Sequence, residues 1–105
     1  MNKPWGREEI LYQTEELIVL RVHLKGGEET SLHKHLERDE AFIILSGRGH
    51  LELEEKQDSF SKGDTLFISK GNKHRWFAKD DVVMIEVTNP PLDDSIRIND
   101  RYGRK

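Results

Sequence analysis

Turn-forming residues interrupt this chain so often that no long helix fits between them. Pro4-Trp5-Gly6, Gly26-Gly27, Gly47-Arg48-Gly49, Lys62-Gly63-Asp64, Lys70-Gly71-Asn72, Asp80-Asp81 and Asn89-Pro90-Pro91 follow one another at short intervals, and such residues reverse or break a backbone. The runs between them are short and rich in Ile, Val, Leu, Phe and Thr, whose branched or flat side chains suit a pleated strand. They predict strands over Glu9–Tyr12, Leu17–Leu24, Ala41–Leu45, Leu51–Leu53, Thr65–Ile68, His74–Phe77 and Val82–Val87. No window sustains an apolar period of 3.6 residues. The expected fold is all-β, an antiparallel β-barrel or jelly roll. At 105 residues the chain is expected to form one domain over 1–105.

Strand parity extends the reading. In Leu17–Leu24, Ile18, Leu20, Val22 and Leu24 fall on one face and Val19, Arg21 and His23 on the other, so one face is core and the other mostly wet. Ala41–Leu45 and Val82–Val87 are apolar on both faces. A small barrel has one interior, so their second face predicts a subunit contact and a homodimer. The polar tail after Pro91, L-D-D-S-I-R-I-N-D-R-Y-G-R-K, reads as a frayed end.

Composition narrows the chemistry. The 17 basic residues are scattered among 20 acidic ones and the net charge is −3, which leaves no basic stripe and predicts no nucleic-acid partner. Cysteine is absent, so disulfides, thiolate ligands and cysteine nucleophiles are excluded and metal ligation falls to His, Asp and Glu. The start M-N-K-P-W-G-R-E-E has no apolar leader region, and no run reaches the ~18 apolar residues of a membrane span. The expectation is no membrane partner and a cytoplasmic location.

One segment has the spacing of a metal site. His33 and His35 stand one residue apart and therefore on the same side of a strand, Glu40 follows five residues later, and Gly27 and Gly47 bound the stretch. The best fourth ligand is His74. Three imidazoles and a carboxylate make the mixed donor set of open sites for zinc, iron, manganese, nickel or cobalt. Phe42 and Ile44 share the parity of Glu40, and Trp76 that of His74, so all three are expected to line the pocket, with Phe42 and Trp76 as substrate contacts. Arg75, on the opposite parity, should point away. Glu86 interrupts an apolar strand and reads either as a catalytic carboxylate beside the metal or as an ion-paired glutamate at a subunit contact. His23 and His50 fall on polar faces and read as solvated.

These segments resemble the cupin superfamily. Its first motif runs Gly, five residues, His-X-His, three or four residues, Glu, six residues, Gly, and Gly27, His33, His35, Glu40 and Gly47 match it at every fixed position. The second motif is matched by Gly63, Gly71 and His74, with Ser69 where Pro is usual and Ala78 where Asn is usual. The resemblance implies a cupin-type barrel holding one divalent transition metal ion.

K-P-W-G at Lys3 to Gly6 and D-D-S-I-R-I-N-D-R-Y-G-R at Asp93 to Arg104 are similar to the ends of the cupin domain in type II mannose-6-phosphate isomerases, which is often fused to a mannose-1-phosphate guanylyltransferase. That family carries Gln where this chain has His33, and histidines where it has Leu36 and Glu37; Arg38 is retained. The second resemblance implies a sugar or sugar phosphate as ligand and an aldose–ketose isomerase or epimerase as activity. Arg101 or Arg104 could grip a phosphate bidentately, or be solvated tail charges. The same ligands would also serve a metal-dependent dioxygenase, or a non-catalytic sugar-binding module of sugar-nucleotide metabolism.

Overall fold

The computed structural model describes residues 1–99, which form eleven strands and no helix. They are β1 Asn2–Lys3, β2 Gly6–Gln13, β3 Ile18–Leu24, β4 Leu32–His35, β5 Glu40–Ser46, β6 Gly49–Leu53, β7 Lys56–Phe60, β8 Thr65–Ile68, β9 His74–Ala78, β10 Val82–Thr88 and β11 Ser95–Asn99. Two sheets result, in the orders β1-β2-β3-β10-β5-β8 and β11-β4-β9-β6-β7. Every pairing is antiparallel. The all-β jelly-roll expectation holds.

Alternation dictates what lies between the sheets. In β3 the buried side chains are Ile18, Leu20, Val22 and Leu24, with Val19, Arg21 and His23 turned outward. A one-residue slip would drive Arg21 and His23 into the interior, so the apolar pattern fixes the register. Leu51, Phe60, Trp76 and Ala78 from the second sheet meet Phe42, Ile44, Ile68, Val82 and Met84 from the first, with Trp5 joining from the β1–β2 turn. At one end the inward positions change character. Glu40 in β5 and Glu86 and Thr88 in β10 are buried there, opposite His35 and His74. Because Glu86 pairs with Phe42 and Thr88 with Glu40, the two glutamates are diagonal neighbours on one face, within reach of each other.

Four of the eleven strands lie outside the seven runs read from the sequence, β4 being anticipated only through the parity of His33 and His35 and the other three not at all. β1 is only two residues long, β7 is K-Q-D-S-F with a single buried side chain, and β11 lies in the tail expected to fray. β11 pairs with the edge strand β4, Ser95 with His35 and Arg97 with His33. All five of its residues are exposed, so the backbone ladder, rather than a buried apolar stripe, holds it. Outward on the first sheet, Ile43 is 47% exposed, Leu45 44% and Phe67 59%. The second apolar face of β5 is therefore left uncovered by the described residues. Among the described residues no helix is long and apolar enough to cross a membrane.

Gly47 closes the β5–β6 turn at φ +88°, and a methyl group there would run into the Asp81 carbonyl. Gly27 is also left-handed, at φ +84°, but an added methyl meets nothing within 4 Å. Both substitutions to alanine carry the backbone penalty of roughly 1–3 kcal/mol for a forced left-handed residue. Gly47→Ala adds a clash with fixed backbone. In urea unfolding, Gly47→Ala is expected to lose clearly more stability than Gly27→Ala.

Candidate metal centre

The site forms where β4 meets β9. His33 and His74 are directly paired across these strands, and His33 and His35 project from the same side of β4. Ring centroids lie 4.2 Å apart for His33–His74, 5.0 Å for His33–His35 and 5.2 Å for His35–His74. One ring nitrogen from each falls within 4.8 Å of the others. Glu40 reaches in from the opposite sheet, with Oε1 3.2 Å from His35 Nε2 and 3.5 Å from His74 Nε2. The four side chains named from spacing thus converge.

Hydrogen bonds orient the imidazoles. His33 Nδ1 lies 2.7 Å from the Ser31 carbonyl and His74 Nδ1 3.0 Å from the Asn72 carbonyl. A carbonyl oxygen only accepts, so each Nδ1 carries the proton and each Nε2 keeps a free lone pair. His35 is more crowded: Asp94 Oδ1 at 3.1 Å, Ser95 Oγ at 3.1 Å and Arg38 Nη2 at 2.9 Å all approach its Nδ1. Burial lowers the pKa of all three, well below the usual range for His33, where His74 adds to the effect, and to about 4 for His74. For His35 the Arg38 charge contributes as well. All three are neutral at pH 7, the state a metal requires.

The carboxylates complete the electrostatics. Glu40 and Glu86 are hydrogen-bonded to each other. Burial raises both, and the charge of Glu40 helps push Glu86 well above the ordinary carboxylate range, so Glu86 holds the shared proton. Arg38 is 6% exposed, with Nη1 3.2 Å from Glu86 Oε2 and 3.7 Å from Glu40 Oε2, and Nε 2.9 Å from Asp94 Oδ1. Burial opposes its charge, but the bond to Asp94 and the neighbouring glutamates outweigh that and raise its pKa. Counting Arg38 against Asp94, with Glu86 and the histidines neutral, leaves the negative charge of Glu40. Its Oε1 is buried and accepts no hydrogen bond among the described residues. An unsatisfied anionic oxygen beside three free imidazole nitrogens fits a divalent transition metal ion, which neutralises the one and coordinates the others.

The centre opens into a cavity of about 420 Å³. Phe42 and Trp76 line it as expected, packed edge to face with centroids 4.7 Å apart. Trp5, Lys3 and Glu8 from the first hairpin and Leu92, Ser95 and Arg97 from the tail complete the wall. Ile44, expected in the wall, is instead fully buried core, because it lies one pleat too far from the polar end. Glu86 lines the cavity beside Glu40, a position that two apolar faces left unreadable. Arg75 points outward to Glu29 and Glu52, at 3.7 and 3.9 Å. His23 and His50 also face outward, but His23 pairs with Glu9 at 3.1 Å and His50 stacks on Phe77. Arg101 and Arg104 lie outside the described residues. Neither spacing nor parity assigns a ligand role to Arg38 or any role to Asp94.

A profile described as cupin domain matches residues 20–88. The chain belongs to the cupin family. This cupin is 33% identical over 97% of its length to a mannose-1-phosphate guanylyltransferase of Escherichia coli, of which it spans 23%. Among solved structures it superposes on KdgF from a Halomonas species with a TM-score of 0.80 at 25% identity, covering 88% of this chain and 84% of that one. A structure described as a putative sugar phosphate isomerase from Acidithiobacillus ferrooxidans shares the fold, with a TM-score of 0.65 at 22% identity over 72% of this chain and 51% of that one.

The histidine shifts have a definite sign. With the folded pKa of His74 below that of the free side chain, the unfolded chain takes up its proton first, so this group lowers stability as pH falls from 6.5 to about 4. Glu86 acts oppositely: its contribution is intact below about pH 4.5 and is lost as pH rises above it. In metal-free protein, a ¹⁵N NMR titration should find His74 still neutral at pH 5.5, protonating only near pH 4.

Proposed function

We propose that this cupin is a metal-dependent aldose–ketose isomerase or epimerase acting on a sugar phosphate, with His33, His35, His74 and Glu40 holding the ion and Glu86 moving the proton. The observation that carries the reading is the carboxyl of Glu86, buried in the cavity wall, hydrogen-bonded to Glu40 and 3.2 Å from Arg38. A bound divalent ion supplies Lewis acidity toward a carbonyl and its neighbouring hydroxyl, and its charge offsets that of Glu40. With Glu40 neutralised, Glu86 loses one of the causes that hold its proton, while Arg38 continues to favour the ionised form. The Glu86 carboxylate then takes a proton from C2 and returns it to C1 while the C2 hydroxyl proton passes to the C1 oxygen, and in epimerisation a proton from water replaces it on the opposite face of C2. Phe42, Trp5 and Trp76 offer apolar surface for the C–H face of a sugar ring and limit access of water.

A relative supports the substrate class. The Escherichia coli protein is named for mannose 1-phosphate. A charged sugar phosphate does not cross membranes, which agrees with a cytoplasmic site of action. Metal-loaded protein should interconvert mannose 6-phosphate or another aldose or ketose phosphate, with solvent deuterium entering at the carbon that receives the proton. Glu86→Gln should lower kcat by about 10²- to 10⁴-fold at unchanged metal content. Binding of sugar phosphates without turnover across the panel would sink the isomerase and leave a sugar-binding module.

The exposed Ile43, Leu45 and Phe67 support a homodimer formed through the outer face of the six-stranded sheet. Light scattering should return twice the chain mass at micromolar concentration. Leu45→Glu should shift that value toward the single chain.

A further inference from the structure

We propose that Asp94 is a positioning residue of the metal centre, holding His35 in the tautomer that presents Nε2 to the ion. The role rests on the metal reading above and concerns a residue that no ligand spacing singles out. The two oxygens of Asp94 divide their work. Oδ2 accepts from the backbone N–H groups of Glu37 and Arg38, at 2.9 and 3.0 Å, and so grips the turn between β4 and β5. Oδ1 faces the site and meets Arg38 Nε at 2.9 Å and His35 Nδ1 at 3.1 Å.

Whether His35 Nδ1 gives or takes a proton depends on which neighbour lies in the ring plane. Arg38 Nη2 is 2.9 Å from Nδ1 but also 3.3 Å from Nε2. An atom lying along the lone pair of one ring nitrogen is far from the other, so this nitrogen sits over the ring face. Arg38 thus reaches the imidazole from its face and does not donate to it in plane. Ser95 Oγ, at 3.1 Å, can accept as readily as donate. The carboxylate can only accept, so Nδ1 carries the hydrogen and Nε2, 3.2 Å from Glu40 Oε1, is left bare. This is the arrangement that the Ser31 and Asn72 carbonyls impose on His33 and His74, supplied here by a side chain from the tail.

Asp94→Asn tests the role because its geometry is forced. The amide oxygen is retained by the two backbone N–H groups, which turns the NH₂ toward His35 Nδ1 and Arg38 Nε. Two donors then face each other, and His35 escapes by moving its hydrogen to Nε2, which closes that nitrogen to metal. Zn²⁺ affinity, measured by competition with a chromophoric chelator, should fall about 10- to 100-fold. In metal-free protein, ¹⁵N NMR should show His35 as the Nδ1–H form in the parent and the Nε2–H form in the variant.

Asn89→Ala is the control. Asn89 binds the same turn, accepting from Asp39 N at 2.8 Å and donating to the Glu37 carbonyl at 2.9 Å, without touching His35. It should lower the melting temperature and leave Zn²⁺ affinity unchanged. Parental Zn²⁺ affinity in Asp94→Asn, or an equal loss in Asn89→Ala, overturns the role. The tautomer in the unmodified protein decides the matter even where a variant fails to fold: Nε2–H there refutes the proposal. A parent chain that takes up no Zn²⁺ overturns the metal reading and this role with it.

Discussion

A guanidinium group with almost no solvent contact holds together the polar end of this protein's interior. Arg38 is buried against Asp94, Glu86 and Glu40, and a buried cation is tolerated only where anions and hydrogen bonds replace its water. Those replacements come from three parts of the chain: β5, β10 and the turn before β11. Removing one partner would leave the others with uncompensated charge, which costs several kcal/mol at a buried pair, about 3–5 by analogy with broken pairs elsewhere. Arg38 therefore ties the tail and both sheets to one point. It also favours the ionised form of its carboxyl partners, and prevails at Asp94 but not at Glu86, where burial and the charge of Glu40 outweigh it. Asp94, bonded to Arg38 and two backbone amides, is held below its ordinary pKa although burial works against that, while Glu86 keeps a proton.

Much of the site is legible in the sequence because ligation obeys a period of two. His33 and His35 share a face through strand alternation, and Glu40, Phe42, His74 and Trp76 follow from the same rule. Ile44 satisfies that rule and still misses the cavity, since parity gives the face of a residue but not its depth along the strand. Glu86 shows the opposite gap. With apolar neighbours on both sides its face is undetermined, and only the pairing of β10 with β5 sets it beside Glu40.

Asp94 could not be found in this way. Its partners His35, Glu37 and Arg38 are 56 to 59 residues away, it stands in a polar stretch, and the strand after it buries no apolar stripe. Long-range hydrogen bonds leave no periodic trace. The similarity of D-D-S-I-R-I-N-D-R-Y-G-R to a family's end marks the segment without saying what the aspartate does.

The recognisable cupin segment ends at residue 88, where the backbone leaves β10 for Pro90-Pro91 and the tail. Every candidate ligand, together with Glu86, Phe42 and Trp76, falls inside it. Trp5, Lys3 and Asp94, which wall or brace the same cavity, fall outside. A chain trimmed to the matched segment would thus still read as a complete metal-binding cupin while lacking one wall of its cavity and the counter-ion of its buried arginine. In this protein the boundary of the detectable family is narrower than the boundary of the working site.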